Sequence, residues 1–103
     1  MRYSLFLFFL CTSCTYNELI TICEPDEQEF FELVQPIIQS NCISCHSQSG
    51  GLPPVLETFD DVVDAVKEQS LKYQVTSREM PPYGVDPLSS SEINIIAKWA
   101  DCE

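Results

Sequence analysis

The feature that most constrains this chain is the run Cys42-Ile43-Ser44-Cys45-His46. Two thiols about one helical turn apart are followed at once by an imidazole, the only histidine in 103 residues. A chain of this length supports one small domain. Such a domain buries only about 60–65% of the surface its unfolded chain exposes, so disulfides, a metal or a cofactor must help to hold it. Six cysteines are available for that purpose. A hydrophobic content of 45%, with seven Pro against three Gly, excludes a disordered or collagen-like chain.

Charge narrows the classes of partner. Sixteen acidic residues stand against five basic ones, a formal charge of −11. Phosphates would be repelled by that surface, so a nucleic-acid partner is not expected. A soluble face that meets basic proteins is.

The N-terminus, "MRYSLFLFFLCTSC", has the layout of an export signal: basic Arg2, the apolar run Leu5–Leu10, then small residues. The run is too short to span a bilayer, which needs about 20 apolar residues. Thr12-Ser13-Cys14 resembles the lipobox of bacterial lipoproteins, where the chain is cut before a cysteine that receives lipid. Cys11 stands where that box usually has Leu. The alternative is an ordinary signal cut somewhat later, leaving a free soluble protein. We therefore expect an export signal over residues 1–13, a lipid anchor at Cys14, a tether over 14–26 and a single domain over 27–103. The expected location is the bacterial periplasm or cell surface, on a membrane. Export also places the domain where disulfides persist.

Past the signal the periodicity is helical. Phe30, Val34, Ile37, Ile38 and Cys42 recur at helical spacing and predict a helix over 27–41, kinked at Pro36. "SQSGGLPP" reads as a loop. "ETFDDVVDAVKE" places Phe59, Val62, Val63 and Val66 on one face, with Thr58 as N-cap and Asp60 and Asp61 at the positive helix end. Residues 70–88 read as a second loop region. The last helix opens on the capping box Ser89-Ser90-Ser91-Glu92 and runs through Ile93, Ile96, Ala97 and Ala100 to about Asp101. No strand alternation of useful length occurs, so the expected class is all-α.

The spacing in residues 42–46 has a chemical reading. Cys-x-x-Cys-His is the pattern of covalent haem attachment. Thiols one turn apart can add to the two vinyl groups of one haem edge, and the next residue can bring its imidazole to the iron. A zinc site needs about four ligands and would have to recruit distant cysteines or carboxylates. A thioredoxin-like pair wants a strand before the motif and a helix after it, whereas here a helix precedes and a Gly/Pro loop follows. Haem with a second axial ligand needs a further donor. Met80 is the only methionine besides Met1, and it sits in "REMPPYG", where two prolines stiffen the loop. The competing reading of Met80 is core filler.

A helix running into the motif, a Met-Pro loop and a closing amphipathic helix carrying Trp99 resemble, in that order, the small class I c-type cytochromes. "VQPIIQSNCISCH" and "MPPYGVDPLSSSEINIIAKWADC" carry the resemblance, which spans about residues 27–103. It implies a cytochrome c-like fold of three to four helices around one haem c per chain. It implies Cys42 and Cys45 as thioether anchors and His46 and Met80 as axial ligands to iron. It implies that the first and last helices cross and pack, commonly over a glycine, which residues 27–41 lack. A carbonyl between Gly51 and Pro54 would hold the proximal His46. If the terminal helices pack, Cys23 and Cys102 would meet in a disulfide; free thiols or pairing with another chain are the alternatives.

The expected function is one-electron transfer with redox protein partners, basic ones by charge, and no enzymatic activity. No acid–base pair or activated nucleophile stands out. Two other classes stay open: a haem sensor or enzyme domain with an open sixth position, and a haem-free binding lipoprotein.

Overall fold

The computed structural model describes residues 23–102, and over that span the chain folds into four helices, with no strand among the described residues. The export signal over 1–13, the lipid site Cys14 and the tether as far as residue 22 lie outside the described residues.

Helix α1 covers residues 27–41. Asp26 caps it, its carboxylate accepting the Glu29 N–H at 2.8 Å. The helix does not stay α throughout. Glu27–Glu29 is α-helical, Phe30–Val34 is a π turn closed by the Gln35 N–H on the Phe30 carbonyl, and Gln35–Asn41 is α again. Pro36, in the first turn of that last segment, explains the change. It has no N–H to give, and in a regular α-helix its ring would meet the carbonyl four residues back. Widening the ladder by one residue ahead of it lets the apolar stripe Phe30, Val34, Ile37 and Ile38 continue to the helix end, all four buried. The expected kink at Pro36 thus takes the form of a π turn.

Helix α2 (Phe59–Glu68) starts from a capping box between Thr58 and Asp61, and α4 (Ser90–Ala100) from one between Ser89 and Glu92. The loop expected over 70–88 contains a further helix, α3 (Leu71–Thr76). It has no side-chain cap, and Ser70 at its start is in the left-handed region at φ 54°. Tertiary packing holds it instead: Leu71 and Val75, four residues apart on one face, are both buried.

Three aromatic rings join α1, α2 and α4. Phe30 lies 5.4 Å from Phe59 and 5.4 Å from Trp99 between centroids. Trp99 is wholly buried, and its indole N–H donates to the Asp26 carbonyl at 2.8 Å. The first and last helices therefore pack through large side chains where a glycine crossing was the family expectation. Residues 23–26 are fastened to the same end. Cys23 and Cys102 are joined as a disulfide with Cα atoms 6.0 Å apart, and Glu24 pairs with Lys67 of α2 at 2.6 Å. This end of the bundle is rigidly tied, while the opposite end carries the motif and the long loops.

Candidate functional site

Helix α1 delivers the motif at its C-terminus. The ladder runs on into it, with Cys42 N–H on the Ile38 carbonyl at 2.8 Å and His46 N–H on the Cys42 carbonyl at 2.8 Å. The following loop folds back over the motif: Leu52 N–H donates to the Cys45 carbonyl at 3.0 Å and Leu56 N–H to the His46 carbonyl at 2.8 Å. Gly50 is required by this return. A Cβ there would stand 2.5 Å from the Ser44 carbonyl oxygen and 2.6 Å from that of Cys45. Ser47, buried, receives the Gly50 N–H on its hydroxyl at 3.0 Å and closes the turn.

The loop also sets the imidazole. His46 Nδ1 lies 3.1 Å from the Leu52 carbonyl and 2.9 Å from that of Pro54. Both partners only accept, so Nδ1 carries a proton, and in the neutral ring the lone pair is then on Nε2. Among the described residues Nε2 has no hydrogen-bond partner. A histidine held in this way presents one nitrogen as a ligand, its tautomer fixed by the other.

Cys42, Cys45, His46 and Met80 line one cavity of about 410 Å³. Its walls are apolar, chiefly Leu52, Leu56, Ala65, Leu71, Val75 and Leu88, and among the described residues no Asp, Glu, Lys or Arg lines it. Met80 comes from the far loop. Its N–H donates to the Gln74 carbonyl at 2.9 Å, so α3 fixes where that loop enters the cavity. Arg78 sits in the left-handed region at φ 63° and donates to the Leu88 carbonyl at 3.3 Å, tying the loop to the start of α4. Cys23 and Cys102 belong to the opposite end. Sequence reasoning missed the contribution of α3, whose Leu71, Gln74 and Val75 all face the cavity. The signal was the four-residue spacing of Leu71 and Val75.

Burial pushes the Cys42 thiol up to about 11, with Cys45 beside it adding to the effect. Reactive dithiols run the other way, toward lowered values in electropositive surroundings. Among the described residues no three His, Cys, Asp or Glu side chains converge as a metal cage would require. The arrangement offers two thiols, one imidazole nitrogen and one thioether around an apolar space.

In comparisons with protein families, curated proteins and solved structures, no family model, curated sequence or solved structure matches this chain.

Proposed function

We propose that this chain is a one-electron carrier that holds a single haem c through thioether bonds at Cys42 and Cys45. The observation that carries this reading is the convergence of Cys42, Cys45, His46 and Met80 on one apolar cavity. The donor set suits the group. Net addition of S–H across a vinyl double bond makes a thioether at each cysteine, an imidazole nitrogen suits an axial position, and an apolar wall suits the porphyrin faces. Iron held there would supply the one-electron couple. Leu52 and Pro54 keep the imidazole from turning, Met80 offers its sulfur from the other loop, and the apolar walls limit water around both donors. The export segment and lipid anchor at Cys14 are part of the same proposal, which sets the carrier on a membrane surface.

Protein made in a haem-attaching host provides the test. The pyridine haemochrome spectrum should report two thioether links, and the intact mass should show one haem per chain and any lipid. A mass and spectrum without haem would leave the haem-free binding lipoprotein standing. A second haem reading rests on how Met80 is held, by one backbone hydrogen bond to the Gln74 carbonyl at 2.9 Å. A thioether on such a loop could leave, making the sixth position available to a ligand, as in a sensor domain. Carbon monoxide binding to the reduced protein at neutral pH would favour that reading over the closed carrier.

A further inference from the structure

We propose that the domain assembles in two parts: the tied half, made of α1, α2 and α4, folds without haem, and residues 70–88 take their place only when the cavity is filled. This rests on the electron-carrier reading for what fills the cavity and adds the order of assembly. The motif is offered to haem from the end of a helix that already exists. Apolar burial divides the molecule first. The largest wholly buried side chains are Phe30, Val34, Val62, Ile96 and Trp99, from α1, α2 and α4, and none of them lines the cavity. Their burial therefore stabilises the fold whatever the cavity holds. The buried residues of 70–88 are Leu71, Val75 and Leu88, and all three line it. With the cavity empty, these side chains lack packing partners on that side.

Polar bonding divides the molecule in the same place. In the tied half, the Trp99 indole N–H reaches the Asp26 carbonyl and Glu24 pairs with Lys67 of α2. The disulfide has both its ends in this half, and by closing the chain it disfavours the unfolded state. The loop bonds of 70–88, by contrast, stay inside the segment. Arg78 N–H goes to the Val75 carbonyl, Met80 N–H to that of Gln74 and Val85 N–H to that of Pro82. Among the described residues its one polar link to the tied half is the ion pair of Lys72 with Asp101, which stands in water and contributes little. Ser70 and Arg78 also sit in the left-handed region, which residues other than glycine hold only where their surroundings impose it. The motif stands at the junction. Cys42 and Ile43 N–H groups both bond to the Ile38 carbonyl, so α1 fixes its start, and Cys42 and Cys45 remain partly open to solvent. Displacing 70–88 removes one wall of the cavity and gives a group as large as haem access to both thiols.

Amide hydrogen exchange, read by mass spectrometry, tests this on the full chain made in two exporting hosts, one that attaches haem and one that does not. In the haem-free chain, amides of residues 31–41, 63–68 and 94–100 should exchange about a hundredfold more slowly than in the same chain unfolded in urea. Those of 71–88 should exchange at nearly the unfolded rate. A digest without reductant should show Cys23 linked to Cys102, and Trp99 should emit as a buried indole. In the haem-loaded chain, 71–88 should become protected as well. Haem-free protein without protection in α1, α2 and α4, or with equal protection there and over 71–88, would overturn the two-part assembly and leave the carrier reading intact. A chain that carries no haem even from the haem-attaching host would overturn the carrier reading and, with it, the offering of the motif to haem.

Discussion

His46 and Met80 are held to different degrees, and that difference sets what each substitution should do. His46 has its Nδ1 between two carbonyls, whereas Met80 is fixed by one backbone hydrogen bond to Gln74. If Met80 is the sixth ligand, Met80→Ala should keep haem attached through Cys42 and Cys45 and open the distal side. The weak far-red charge-transfer band of the ferric protein should vanish, carbon monoxide should bind, and the potential should fall, because a thioether favours the reduced iron. A ferric spectrum and potential unchanged by the substitution would make Met80 a loop residue only. Cys42 gives a second test at this scale, on protein made without haem. Its raised value, about 11, means the neutral thiol is favoured in the folded chain. The thiolate fraction at pH 8 is then roughly one in a thousand, and it grows as pH rises through about 11. Iodoacetamide labelling of Cys42, followed by peptide mass, should be slow at pH 8 and accelerate over that window. Unfolding in urea should abolish the delay.

Elements show how much of the fold was legible. Helices α2 and α4 were readable at their starts because the signal is local, Thr58 and Ser89 each accepting an N–H from the residue three places on. Helix α1, whose Asp26 cap was not foreseen, was readable from its apolar spacing. Helix α3 was not, because its six residues hold only two apolar positions of one face and Ser70 gives no cap. Its stability comes from what Leu71 and Val75 pack against, which no local window contains. The π turn in α1 was half legible. Pro36 announced a disturbance, but whether the helix breaks, bends or widens depends on the buried neighbours of Phe30 and Val34. The candidate site divides in the same way. Cys42, Cys45, His46 and Met80 were all nameable from sequence, while the carbonyls of Leu52 and Pro54 required the folded loop. Trp99 tests the element packing. Trp99→Ala should cost about 3–5 kcal/mol through the cavity it leaves between α1, α2 and α4. Trp99→Phe should cost less, on the order of 1–3 kcal/mol, for the lost bond to the Asp26 carbonyl and a smaller void. Equilibrium urea unfolding at constant m-value measures both, and a Trp99→Phe substitution without cost would count against the hydrogen bond.

At the scale of the whole molecule, charge and covalent closure act together. If the chain is the proposed electron carrier, its formal charge of −11 should steer encounters with a basic redox partner, so the electron-transfer rate should fall as ionic strength rises from low salt. A rate indifferent to salt would leave the acidity with no role beyond solubility. The same charge disfavours the compact state, since like charges repel when drawn together. The disulfide opposes that expansion at the end that carries Asp26, Glu27 and Glu29. Cys23 and Cys102 are 79 positions apart, so the bond closes the whole described chain. In the chain-entropy account a loop of this size stabilises the fold by about 4–5 kcal/mol. Cys23→Ser with Cys102→Ser should therefore lower the urea midpoint substantially, and more at low salt, where the carboxylates repel without screening. Haem attachment should survive, because both cysteines lie at the end of the bundle away from the cavity. Alkylation before reduction provides the prior check: the unreduced, haem-loaded protein should take up no label at these two positions. Two labelled thiols there, or a midpoint unmoved by the double substitution, would mean that the aromatic contact of Phe30, Phe59 and Trp99 holds this end without covalent help.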